Sequence, residues 1–175
     1  MKINFLWLLL LFCAPEVIAD PNEDESAFLE IPGATAVRSS HVDDVFTEIP
    51  KELRKELDST DIAETGLEIR GFTFDLNKDG QTEYFIYDYS GSGSGGPAYM
   101  IYSQLNHHWQ NIGGFQGGLY LYSVSKGWPQ LVSIGRGGGG CWTKCYMRFK
   151  SGSYQPIIYE RYDRGKITWD RASVK

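Results

Sequence analysis

Side-chain oxygens recur at alternate positions in Asp75-Leu76-Asn77-Lys78-Asp79-Gly80-Gln81-Thr82-Glu83: Asp, Asn, Asp and Glu stand at positions one, three, five and nine, with Gly at six. That pattern suits a hard divalent cation. Ca2+ takes about six to eight oxygen ligands at roughly 2.3–2.6 Å, and alternate residues of a tight turn point inward while glycine permits the reversal. Position twelve is Ile86, so the bidentate glutamate of a helix–loop–helix calcium hand is missing and Glu83 must close the ligand set. Residues 83–89 run Glu-Tyr-Phe-Ile-Tyr-Asp-Tyr, aromatic and β-branched, which favours a strand over an exiting helix. The expectation is a strand–loop–strand Ca2+ site.

No other constellation fixes a reaction. The available acids and bases are Asp88, Glu160, Asp163, His41, His107 and His108, and none has the spacing of a triad, a metal-hydrolase motif or a nucleophile elbow. His107 and His108 follow Asn106 in a polar turn and are expected as exposed hairpin residues. Asp88 and Glu160 could flank a glycosidic bond only if folding sets their separation, which sequence does not supply. The expectation is a protein without catalysis. The run Arg136-Gly137-Gly138-Gly139-Gly140 offers backbone N–H groups to a phosphate, but it lacks the Lys-Ser/Thr of a P-loop and no helical pattern follows. Close backbone packing is its expected role.

The elements that must position these residues begin after an export signal. Met1-Lys2 precedes the apolar run 3–13, and Val17-Ile18-Ala19 ends in small residues, so residues 1–19 are expected to be removed and the mature chain to be periplasmic or secreted. Acylation at Cys13 is disfavoured, because Phe12 stands where a small residue is needed. No later stretch approaches about eighteen consecutive apolar residues, so no membrane span is expected. A net charge of −5 argues against nucleic acid as a partner. Of the three cysteines, Cys141 and Cys145 remain after cleavage, in a compartment where disulfides persist, and this glycine-flanked pair is expected to close a local disulfide. A zinc site would need His107 or His108 as well, and adjacent histidines on a strand face opposite ways.

Residues 20–41 begin with an acidic, aperiodic segment and are expected as a mobile leader, with a short strand around Pro32. Residues 42–175 are expected as one β-rich domain. Val45, Phe46, Ile49, Leu53 and Leu57 recur at three- and four-residue spacing and predict an amphipathic helix over about 45–58 that covers a sheet face. Pro50 disfavours helical backbone at Ile49, so the helix proper could begin at Pro50, with Val45 to Ile49 as a separate turn. Trp109, Phe115, Tyr120, Tyr122 and Trp128 fall near predicted turns and strand ends, where rings either form a platform for sugars or protein or pack under the helix.

The remainder is patterned twice. A shift of forty-seven places sets Gly80 on Gly127, Glu83 on Gln130, Phe85 on Val132, Gly91 on Gly138, Gly93 on Gly140 and Tyr99 on Tyr146. Two units follow, about 66–117 and about 118–165, each a loop, a strand, a glycine-rich connection, a strand, a polar turn and a strand. The turns are Asn106-His107 and Ser151-Gly152, after which the shift falls by two and Trp109 corresponds to Tyr154. Asp75, Asn77 and Asp79 map onto Tyr122, Val124 and Lys126, so the second unit keeps the turn without the ligands.

The loop Asp-x-Asn-x-Asp-Gly, followed by an acid and an apolar strand, resembles the FG-GAP or VCBS-type repeats of secreted bacterial proteins. The resemblance implies a mainly β fold of two duplicated, antiparallel, blade-like sheet units with one amphipathic N-terminal helix packed on them. It also implies a structural Ca2+ held by Asp75, Asn77, Asp79, Gln81 through its carbonyl, and Glu83, in a binding or recognition module whose partner is a protein or a cell-envelope glycan. A second likeness lies in residues 90–99, Ser-Gly-Ser-Gly-Ser-Gly-Gly-Pro-Ala-Tyr, which look like the Ser-Gly-Ser-Gly loop that periplasmic inhibitors insert into chicken-type lysozyme. It departs by one extra residue before Tyr99 and by lacking a basic residue there. Under that likeness the chain is an inhibitor or immunity-type protein that blocks a lysozyme-like wall hydrolase through Ser90, Ser92, Ser94 and Tyr99.

Overall fold

Aromatic and β-branched residues dominate from Arg70 onward, and that part of the chain folds almost wholly into antiparallel strands. The computed structural model describes residues 28–38, 44–58, 60, 67–123 and 127–172; the expected export signal, the acidic segment 20–26, Cys13 and His41 lie outside the described residues. The elements are β1 (Thr35–Arg38), β2 (Asp44–Val45), α1 (Lys51–Leu57), β3 (Arg70–Phe74), β4 (Glu83–Gly93), β5 (Gly96–Leu105), β6 (His108–Gln116), β7 (Gly118–Ser123), β8 (Gln130–Arg136), β9 (Cys141–Lys150), β10 (Ser153–Asp163) and β11 (Lys166–Arg171). They form a five-stranded sheet in the order β2-β3-β4-β5-β6 and a six-stranded sheet in the order β1-β7-β8-β9-β10-β11.

Strand periodicity explains the layering. Phe85, Tyr99 and Ile101 of the five-stranded sheet meet Leu119, Leu121, Leu131 and Met147 of the other sheet in one shared core. The neighbouring residues Ile86, Met100 and Tyr102 point the opposite way and pack with Leu53 and Leu57 of α1. Both faces of β4 and β5 are therefore covered, one by a sheet and one by a helix.

Three hairpins close with two-residue turns in which both residues have positive φ: Asn106-His107, Ser151-Gly152 and Arg164-Gly165. These are the turns whose twist matches that of paired strands. The chain changes sheets at Gly117, between β6 and β7. Its φ is +83°, its N–H donates to Pro97 O at 2.8 Å, and a Cβ there would lie 2.0 Å from Ile134 O.

The structure differs from expectation in three places. The helix spans Lys51–Leu57 and not 45–58: Pro50 is its N-cap with φ −51° and ψ 135°, and upstream Asp44–Val45 pairs with Arg70 and Gly71 as β2. Within the leader expected over 20–41, Thr35–Arg38 pairs with β7 as β1, and Phe28 is buried against Tyr162. The disulfide expected between Cys141 and Cys145 is absent, and both thiols are free. The two residues lie four apart on the single strand β9, so their Cα atoms are about 13 Å apart at roughly 3.3 Å per residue. A disulfide tolerates no more than about 7 Å.

Gly117→Ala is expected to lower stability by about 2 kcal/mol or more in urea denaturation, because the positive φ and the contact with Ile134 O both oppose a side chain. Gly93→Ala, with open space around the added Cβ, should change it by about 1 kcal/mol or less.

Candidate functional site

Two loops at opposite ends of β4 concentrate the polar chemistry. The first, residues 75–82, joins β3 to β4 and is knitted together by its own side chains. Gly80 N–H donates to Asp75 Oδ2 at 3.1 Å, Asp79 N–H to Asn77 Oδ1 at 3.1 Å, and Gln81 N–H to Asp79 Oδ1 at 2.8 Å. Asn77 Nδ2 donates to Asp79 Oδ2 at 2.8 Å, and positive φ at Lys78 and Gly80 turns the chain. Asp75, Asn77 and Asp79 are thereby brought onto one short turn. Asp75 Oδ1 is buried and has no hydrogen-bond partner. A buried, unsatisfied carboxylate oxygen is costly unless something positive meets it.

Glu83 sits at the base of this loop, only 1% exposed. Its Oε2 accepts the Leu76 N–H at 2.7 Å and its Oε1 accepts the Ser103 hydroxyl at 3.0 Å, so both oxygens brace the loop against β5. Burial pushes its pKa up to about 7; these two hydrogen bonds pull the other way, and the charges of Asp79 and Asp75 add to the rise. Among the described residues no three His, Cys, Asp or Glu side chains gather into a metal-binding group. The donors available in the loop are two carboxylates, an amide and backbone carbonyls.

The second loop, residues 90–97, forms the tip of the β4–β5 hairpin. Asp88 Oδ1 accepts both the N–H and the hydroxyl of Ser90, at 2.9 and 2.6 Å, while Ser92 Oγ donates to Asp88 O at 2.7 Å and accepts from Ala98 N–H at 3.0 Å. Burial opposes ionisation of Asp88, but the hydrogen bonds from Ser90 and Gly91 outweigh it and hold this carboxyl below its usual range. Ser90 and Ser92 are thus engaged inside the loop and Tyr99 is buried, whereas Ser94 is exposed. Gln116 Nε2 donates to Gly91 O at 3.1 Å, and Arg136 N–H donates to Gly95 O at 3.1 Å, tying the tip to β6 and β8.

Beside this tip lies a cavity of about 420 Å³ between the sheet ends. Its walls include Phe72, Tyr99, Phe115, Tyr120 and Trp142, the backbone of residues 93–96, 117 and 118, and Arg136, whose guanidinium carbon lies 5.5 Å from the centre of the Trp142 ring. Phe115 and Tyr120 are legible as ring candidates from sequence, but Phe72 and Trp142 come from distant strands and carry no local signal. Of the other candidate rings, Trp109 meets Tyr84 beneath α1 and Trp128 stacks on Phe149 at 4.3 Å, while Tyr122 is exposed.

The remaining candidates do not converge. Asp88 belongs to the five-stranded sheet, whereas Glu160 lies on the six-stranded sheet, 3.7 Å from Lys144 Nζ and accepting the Tyr146 hydroxyl at 3.0 Å. His107 occupies the β5–β6 turn and His108 opens β6, exposed. Cys141 Sγ donates to Asp163 Oδ1 at 3.2 Å, which raises the thiol pKa, and burial pushes that of Cys145 up to about 11. Neither is an activated thiolate. No helix among the described residues is long and apolar enough to cross a membrane.

Comparison with family models, with curated proteins and with solved structures finds no significant match to this chain.

Because folded Glu83 holds its proton up to about pH 7 and an unfolded glutamate releases it near 4.5, its stabilising contribution is complete below 4.5 and is lost as pH rises to 7. In chelator, thermal melts should show stability falling across that window by on the order of 3 kcal/mol. Glu83→Gln, which can keep both hydrogen bonds, should flatten the dependence.

Proposed function

We propose that this chain is an exported, non-catalytic recognition domain, built from two copies of a blade-like sheet unit and braced by one Ca2+. It engages a protein or cell-envelope glycan at the glycine-rich end of its sheets. The observation that carries the reading is the cavity there, walled by aromatic rings and exposed glycine backbone beside a hairpin tip locked by Asp88, Ser90 and Ser92. Recognition surfaces gain affinity from such preorganisation, since little conformational freedom remains to be lost on binding.

The duplication is supported by pairing. In the β5–β6 hairpin the register skips Ile112, between the pairs Ile101↔Gly113 and Tyr102↔Asn111. In the β9–β10 hairpin it skips Ile157, between Met147↔Pro156 and Tyr146↔Ile158. The two bulges are 157 − 112 = 45 residues apart, the shift expected beyond the polar turn. The strand order β2-β3-β4-β5-β6 also parallels β1-β7-β8-β9-β10. Val124 and Lys126, the counterparts of two loop ligands, lie outside the described residues.

For calcium, the orphaned Asp75 Oδ1 and the clustering of Asn77 and Asp79 fit a hard cation. Asp75, Asn77, Asp79 and the Gln81 carbonyl would hold it, with Glu83, hydrogen-bonded to Leu76 and Ser103, closing the set through a remaining lone pair. The ion's chemistry there is structural: it neutralises the loop's carboxylates and fixes the entry to β4. Calorimetry on the mature chain should register calcium binding, and at calcium about 100 times Kd the gain in stability should be about 2.7 kcal/mol. Asp79→Ala should abolish that gain while costing a chelated sample about 1 kcal/mol from its lost turn bonds. Equal losses with and without calcium would contradict the ligand assignment.

A second reading is favoured by the hydrogen bonds that hold residues 90–97: an inhibitor that presents this tip to a lysozyme-like wall hydrolase. Under it, immobilised chain captures a muramidase, and replacing Ser92 and Ser94 abolishes capture. Capture that persists in that variant would exclude the tip as the inhibitory element.

A further inference from the structure

We infer that the cavity beside the glycine-rich tip is a subsite for a single aromatic or branched apolar group bearing one carboxylate. This inference rests on the recognition reading above and gives its binding end a ligand chemistry. Three features of the cavity define that chemistry.

The walls combine ring faces and aliphatic carbon from both sheets, including Phe72, Phe115, Leu119 and Trp142, with Ser94 and glycine backbone at the tip; apolar surface prevails, so the body of the ligand is apolar. Arg136 is the one charged residue lining the cavity. It is exposed, and its guanidinium is set over the Trp142 ring while its backbone N–H is pinned to Gly95 O. No ion pair to Arg136 is present among the described residues. A planar guanidinium held at the mouth of an apolar chamber matches a carboxylate edge, and a single cation in a chain of net charge −5 compensates one negative charge better than two.

Size and geometry narrow the ligand further. About 420 Å³ lies near the lower end of the roughly 300–1,000 Å³ range of small-molecule sites, enough for one ring with its carboxylate. Gly93 borders the cavity, and a Cβ there would meet nothing within 4 Å; its φ is not in the left-handed region. Neither fold nor backbone demands glycine at this position, so a large side chain there probes the cavity without straining the fold.

The carboxylate could belong to a free small acid or to the C-terminal residue of a peptide, and the test separates these sources. Calorimetry and tryptophan fluorescence on the full mature chain would compare N-acetylphenylalanine with its amide, and a tripeptide ending in Phe with its amidated form. The expected result is that each acid binds about tenfold or more tighter than its amide, that Arg136→Gln removes the preference, and that Gly93→Leu weakens both forms about tenfold with the melting temperature nearly unchanged. A tripeptide acid that binds tighter than the free acid identifies a chain terminus as the source, and the opposite order identifies a small molecule. No detectable binding at millimolar probe, equal binding of acid and amide, or full binding by Gly93→Leu would overturn the proposal. Capture of an envelope partner that Gly93→Leu abolishes, together with no acid binding, would remove this subsite and leave the recognition reading standing.

Discussion

β4 and β5 carry apolar residues on both faces, and such strands are stable only when each face is covered. Phe85, Tyr99 and Ile101 on one side and Ile86, Met100 and Tyr102 on the other cannot all turn from water in a single sheet. The chain answers with two different covers: the six-stranded sheet on one face and Leu53 and Leu57 of α1 on the other. The crossing at Gly117 makes the first possible, because only a residue without a side chain lets β6 run into β7 so close to Ile134 O. Apolar burial of this kind is worth roughly 25 cal/mol per Å², which makes this three-layer arrangement the main support of the fold.

The layering leaves polar chemistry at the strand ends, and the two ends of β4 differ in kind. At the start, carboxylates crowd into residues 75–83, with Glu83 drawn so far inside that burial raises its pKa while Leu76 and Ser103 keep it hydrogen-bonded. At the finish, glycine replaces charge, the tip 90–97 is held by Asp88 and Gln116, and a cavity opens between the sheets. The first end is organised around negative charge close to the core. The second presents backbone, rings and a single guanidinium to whatever approaches.

Much of this is legible in the residues because it is local. Two-residue turns at Asn106-His107 and Ser151-Gly152 follow from residue types that accept positive φ, and the strand after the Asp-x-Asn-x-Asp-Gly loop follows from its β-branched and aromatic run. Local patterning misleads where a distant partner competes. Val45 has helical spacing relative to Leu53, yet the free edge of β3 offers its backbone hydrogen bonds, and Pro50 prevents one helix from spanning both. Cys141 and Cys145 suggest a turn beside four glycines, but pairing with β8 and β10 extends the segment and carries the thiols apart.

The β-rich class, the apolar helix face and the carboxylate-bearing turn can be read from neighbouring residues, since each depends on a short stretch of chain. Tertiary structure alone decided that Glu83 is sealed inside, that Phe72, Phe115 and Trp142 share a cavity, and that Arg136 stands at its mouth. The four cavity residues lie on β3, β6, β8 and β9, in two sheets. Only the packing of one sheet on the other, driven by burial and not by local backbone preference, brings them together.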